Sequence, residues 1–222
     1  MTEGLDPAAL RRGLSALFPS ADPEAAEILP LAGDASTRRY YRVRTAPGAS
    51  RPAVVVMRYP DEVAPGEELP FLNVHRYLAK AGVPVPEVYR SDPGAKLLFL
   101  EDAGDKTLEG AVGGSGIEAC IPLYEQCVEL LVRIQAGGTR ALDGKAIPLR
   151  LAFDVRKFTE EIDFFFDHAV RAYGGIRLSE GEERAVEDRF LPFLARMADL
   201  PRVLAHRDYH SRNVMVLSPG PA

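Results

Sequence analysis

The sequence predicts an α+β chain in two lobes, a small β-rich N-lobe followed by a helical C-lobe, and three observations predict it. Valine- and tyrosine-rich alternating runs fall within the first hundred residues, helical periodicity dominates beyond residue 103, and a polar loop flanked by apolar runs lies late, at His206 to Leu217. The lobe boundary is expected near residue 102, giving lobes of 1–102 and 103–222.

The elements follow in order. Asp6 with Pro7 caps a first helix whose Leu10, Leu14, Leu17 and Phe18 form one stripe. Tyr40 to Arg44 and Ala53 to Arg58 alternate as strands around the turn sequence TAPGAS, so they are expected to form a hairpin. A helix from about Leu69 to Lys80 is expected to bury Phe71, Val74 and Leu78, and to stop at Gly82 before Pro84 and Pro86. Lys96 to Leu100 is a further strand, running into Glu101-Asp102-Ala103-Gly104. Beyond it come a helix around Cys120 and Cys127, a second from about Phe153 to Tyr173, and a third from about Gly181 to Leu200. Ser179 and Glu182 make a capping box for the third. Val203-Leu204-Ala205 and Asn213 to Leu217 are expected to be strands.

Composition narrows the function classes. With 222 residues and 46% hydrophobic content, a packed core is available. A formal net charge of −5 argues against nucleic acid as a general partner, because phosphate backbones demand a basic surface. The start lacks an apolar signal core, and no apolar run approaches the roughly 20 residues needed to span a bilayer, so a cytoplasmic location without membrane partners is expected. The two cysteines lie two helical turns apart, too far to bond, and are expected to be buried apolar residues.

The chemistry concentrates in HRDYHSRNVMVL, from His206. A loop aspartate, Asp208, can accept a proton from a substrate hydroxyl as that oxygen attacks a γ-phosphate, and an asparagine five residues on, Asn213, can hold Mg²⁺ between the phosphates. His206 would brace the loop backbone, and Arg207 and Arg212 could offset phosphate charge. A rival reading takes His206, Asp208 and His210 as metal ligands projecting from one face of a strand. A strand-rich lobe, a helical lobe and a late catalytic loop are the order of a two-lobed protein kinase-like fold, with ATP between the lobes.

On these residues the chain resembles the aminoglycoside phosphotransferase and choline kinase-like superfamily, most of all its anomeric sugar kinases acting on N-acetylmuramate and N-acetylglucosamine. Three blocks carry the match: LAGDASTRRYYRVR from Leu31, LLFLEDAGDKTL from Leu97 and HRDYHSRNVMVL from His206. The resemblance implies ATP and Mg²⁺ as cofactors and an amino sugar salvaged from cell wall as substrate. It makes the first block a phosphate-covering loop, with Gly33 allowing close approach, Ser36 and Thr37 as donors, Arg38 adding charge, and Arg39 beside phosphate or sugar. The second block becomes the hinge, where backbone groups at Leu100, Glu101 and Asp102 receive the adenine edge. Glu161, near Phe164 to Phe166, is a candidate sugar contact, against the plainer reading in which Phe164 and Phe165 are core and the acids face solvent.

Two departures qualify the resemblance. No lysine precedes Lys80, so the lysine that many relatives place on the third strand is replaced by Met57 or Arg58, and Arg58 is expected to face water. At the other end, Ser218-Pro219-Gly220-Pro221 reads as a tight turn into a returning strand, which in the family carries the Mg²⁺-binding Asp and precedes helices completing the sugar pocket. The C-lobe therefore reads as incomplete, with a missing C-terminal fragment as a possible partner and poor activity expected of the 222-residue chain. A kinase for an aminoglycoside or other small alcohol, and a noncatalytic pseudokinase or split-protein binding module, stand as alternatives.

Overall fold

The computed structural model describes residues 5–31, 37–45, 49–60, 63–64 and 66–217. Its chain divides into two compact units, one built from Met1–Leu69, Pro84–Val128 and Arg207–Ala222, the other from Pro70–Val83 and Glu129–His206.

The first unit is organised on a five-stranded antiparallel sheet of order β1-β2-β3-β5-β4, with β1 Glu27–Pro30, β2 Arg39–Arg44, β3 Ala53–Arg58, β4 Val88–Asp92 and β5 Leu97–Leu100. The register Tyr41↔Val56↔Phe99 and Val43↔Val54 sets the side chains of one face, because alternate residues point the same way. Those residues are buried against helix α1, Pro7–Leu17, through its Leu10 and Leu14 and through Phe18 just beyond. Each such buried Leu or Phe contributes about 2 kcal/mol relative to exposure. Asp6 caps α1 by accepting from the Ala8 amide at 2.9 Å. Where the helix crosses the sheet, Gly13 is required: a Cβ there would lie 2.0 Å from the Phe99 ring.

The expected hairpin and fifth strand are present, and β1 and β4 add to them. The TAPGAS turn lies partly outside the described residues, at Ala46 to Gly48. On the other sheet face β2 carries Tyr40 and Arg42, β3 Val55 and Met57, and β5 Leu98 and Leu100. Met57 and Leu98 are fully buried. After the sheet come α3, Leu108–Val112, capped by Thr107, and α4, Ile117–Val132.

The second unit is helical. In α2, Pro70–Lys80, the buried residues are Asn73 and Tyr77, and not the expected apolar triplet Phe71, Val74 and Leu78. The cause is hydrogen bonding: Asn73 donates to the Lys145 carbonyl at 3.1 Å and accepts from the Ile147 amide at 2.9 Å, and the Tyr77 hydroxyl donates to Asp143. A π-helical segment, Arg133–Gly138, leads into α5, Thr139–Ala141; α6, Val155–Phe165, continues as a second π-helical segment to Tyr173; and α7 spans Glu180–Ala198 behind the expected Ser179/Glu182 capping box. Val203 to Ala205 is not a strand. Leu204 instead gives its amide to the Thr139 hydroxyl at 2.7 Å and packs its side chain over Gly138. Cys127 is buried as expected and Cys120 half-buried, both as free thiols. Tyr124 on the same helix is 46% exposed.

Candidate active site

Residues 206–212 form loop and turn, and from 213 to 217 regular structure is limited to one isolated bridge, Thr107↔Met215. The loop is nonetheless firmly held. Val216 donates its amide to the Lys106 carbonyl at 2.7 Å, Leu108 to Val214 at 2.8 Å and Glu109 to Ser211 at 3.0 Å, so residues 106–109 line one side of the segment 211–216. Tyr209 adds a second anchor, its hydroxyl donating to the Cys127 carbonyl on α4 at 2.7 Å. Burial, and then the neighbouring Cys127, push the Tyr209 phenol above its ordinary pKa, so it stays a donor at neutral pH.

This frame brings together Asp208, His210 and Asn213. The Asn213 amide nitrogen donates to the Asp208 carboxylate at 2.6 Å and to the Asp208 carbonyl at 3.0 Å, and the Asn213 backbone amide donates to the His210 carbonyl at 2.9 Å. His210 Nε2 stands 3.1 Å from the second Asp208 oxygen. The Asp208 side chain remains 70% exposed. Arg207 takes a left-handed φ of 72°, which turns the chain at the entry to the loop. His206, in the other unit, is exposed. The rival metal reading required these alternating residues to lie on a strand; they lie on a turn, and no group of three metal-binding side chains occurs among the described residues.

The segment expected to form a hinge is also well defined. The Glu101 amide donates to the Glu87 carbonyl at 2.8 Å and the Glu101 carboxylate accepts from the Glu87 amide at 3.0 Å. The Glu101 amide, one of the groups expected to meet an adenine edge, is thus engaged with Glu87. Leu100 ends β5 between Val55 and Val88.

The Asp102 side chain meets Arg42, a residue the sequence reading did not single out. Arg42 Nε and Nη2 reach the two Asp102 oxygens at 2.6 and 2.9 Å, Nη1 reaches Asp105 at 2.6 Å, and Nη2 also donates to the Gly104 carbonyl at 3.1 Å. Both partners of the inner pair are nearly buried, at 12% and 15% exposure. The Asp102 and Asp105 hydrogen bonds raise the Arg42 pKa further. A charged residue in a strand of buried neighbours, followed far along the chain by the acids of EDAGD, was the available signal.

The remaining sequence candidates are dispersed. Gly33 and Ser36 lie outside the described residues. Thr37 is exposed and Arg38 half-buried on the β1–β2 connection, which is closed by the Leu31 amide donating to Tyr40 at 2.9 Å. Arg39 pairs in register with Arg58, on the α1 side of the sheet, while Met57 is buried on the other; Arg58 is half-buried and not fully in water. Glu161 is tied to Lys157 at 3.0 Å by an ordinary i,i+4 pair. Phe164 and Phe165 are exposed, and it is Phe166 that is buried, which corrects the plainer reading of that helix. The turn expected at Ser218 to Pro221 lies outside the described residues.

An antiparallel five-stranded sheet, several helices and a late Asp–Asn loop are consistent with a kinase-like α+β fold. The chain belongs to the phosphotransferase enzyme family (APH), whose family model matches residues 27–222. It is 34% identical over 88% of its length to an N-acetylmuramate/N-acetylglucosamine kinase of Pseudomonas aeruginosa, covering 53% of that protein. Proteins of the same description from Caulobacter vibrioides and Pseudomonas putida are each 27% identical, over 84% and 89% of this chain and 57% and 53% of theirs. The chain thus spans about half the length of these curated relatives. Among the described residues no helix is long and apolar enough to cross a membrane.

Proposed function

We propose that the protein is an ATP- and Mg²⁺-dependent kinase for the anomeric hydroxyl of N-acetylmuramate or N-acetylglucosamine, serving cell-wall recycling in the cytoplasm. The observation that carries the reading is the Asp208–Asn213 contact of 2.6 Å on a loop bonded to residues 106–109. Asp208 accepts the sugar hydroxyl proton, and Asn213 orients the carboxylate through its nitrogen. That arrangement leaves the Asn213 amide oxygen as a hard ligand suited to Mg²⁺, which when bound offsets charge between the phosphates. His206 supports the loop, the backbone of 100–102 forms the hinge within a nucleotide-binding N-lobe of residues 1–102, and Thr37 and Arg38, with Gly33 and Ser36, cover phosphate. The names of the curated relatives support the substrate class.

The test is transfer of labelled γ-phosphate from ATP to a panel of amino sugars, aminoglycosides and small alcohols, using protein expressed from its full reading frame. N-acetylmuramate and N-acetylglucosamine should be the preferred acceptors, and Asp208→Asn should lower kcat about a thousandfold, within the range for loss of a general base. Equal turnover in Asp208→Asn would remove Asp208 from the chemistry, and preference for another alcohol would replace the substrate assignment.

A further inference from the structure

The Arg42 fork sits where two independently anchored stretches meet. Upstream, Glu101 is fixed to Glu87 by two hydrogen bonds that do not involve Arg42. Downstream, Lys106, Leu108 and Glu109 are bonded to the loop that carries Asp208 and Asn213. Between them, residues 102–105 turn through Gly104, at a φ of +82°, and the side-chain bonds holding that turn come from Arg42 and from Asp102 itself, which accepts the Gly104 amide at 3.0 Å.

Arg42 reaches this turn from the middle of β2, where it pairs with Val55 in the sheet. We infer that Arg42 is a positioning residue, acting through Asp102 to set the height of residues 106–109 and, through their hydrogen bonds, the placement of the Asp208–Asn213 loop. The assignment rests on the proposed kinase function. Because the Glu101 anchor is separate, loosening the fork disturbs the catalytic loop more than the hinge backbone at Glu101. Its signature is a fall in kcat that exceeds the loss of nucleotide affinity. The two acids differ in weight: Asp102 is bound by two nitrogens and nearly buried, whereas Asp105 is 81% exposed and its pair is screened by water.

The experiment compares Arg42→Met, Asp102→Asn and Asp105→Asn in protein expressed from its full reading frame, reading kcat, nucleotide Kd by direct binding, and amide hydrogen exchange at Leu108, Glu109 and Val216. Arg42→Met and Asp102→Asn should lower kcat about 10- to 100-fold, the range for groups that orient a reacting residue from behind. Nucleotide Kd should weaken by a clearly smaller factor than kcat falls, and the three amides should exchange faster. Asp105→Asn should change kcat by no more than about threefold. Asp102→Asn keeps the size and shape of the side chain, so it decides the matter if Arg42→Met fails to fold. A kcat unchanged in Asp102→Asn, or a Kd that weakens as much as kcat falls, overturns the assignment. If the unaltered protein transfers no phosphate, the proposed function fails, and the fork is judged by exchange alone: unchanged protection of the three amides would overturn it.

Discussion

Single residues already carry opposing demands of chemistry and stability. Asp143 accepts from the Tyr77 hydroxyl and from the Lys145 amide at 2.9 Å, and these bonds, Tyr77 first, hold its carboxyl below the ordinary carboxylate range. Because its folded-state pKa is depressed, its stabilisation is fully present above the unfolded-state value and is lost as pH falls through the folded-state value. Thermal midpoints should therefore drop more for the unaltered chain than for Asp143→Asn between about pH 5 and about pH 3, the window in which such carboxylates take up their proton. Parallel curves for the two proteins would show that the Tyr77 contact contributes nothing to acid stability. The catalytic candidates were visible in sequence for a different reason: Asp208 and Asn213 lie five positions apart, and a turn closes that distance locally. Arg42 and Asp102, 60 positions apart, meet through sheet register and a loop return, which no local pattern encodes.

At the scale of elements, amphipathic period was the strongest sequence signal and proved sound where burial is apolar. Helix α1 buries the stripe its spacing announced, with Leu10 and Leu14 inward. It misled on α2, where Asn73 and Tyr77 turn inward because backbone groups of residues 145 and 147 and the Asp143 carboxylate need partners. Strand β1 escaped notice because its four residues include none that is buried. Packing between α1 and the sheet also depends on an absent side chain. A methyl group at Gly13 would meet Phe99 at 2.0 Å, and Phe99 is fully buried and has no room to retreat. Gly13→Ala should gain about 1 kcal/mol of helix propensity and lose about 1–3 kcal/mol to overpacking, a net loss seen as a lower denaturation midpoint. Adding Phe99→Leu should recover part of that loss, since the two sites are in contact and not additive. A stabilised Gly13→Ala protein would mean that the helix lifts off the sheet without cost.

For the molecule as a whole, the distribution of apolar surface is the property with the widest consequences. Ile117, Ile121, Tyr124 and Val128 recur at helical spacing along α4, with exposures from 43% to 78%. On α7, Phe190, Leu191, Phe193 and Met197 are likewise exposed at 42% to 63%. Isolated exposed apolar residues are ordinary, but continuous stripes on two helices exceed what monomeric surfaces usually carry. The 222-residue polypeptide should therefore bind a hydrophobic dye strongly at neutral pH and associate with itself as its concentration rises. Ile121→Ser together with Val128→Asn should weaken dye binding while moving the thermal midpoint little, since both side chains make few buried contacts to lose. A dye-silent monomer would show that these faces are not sticky in solution. A dye signal that persists in the double variant would instead place the adhesive surface on α7.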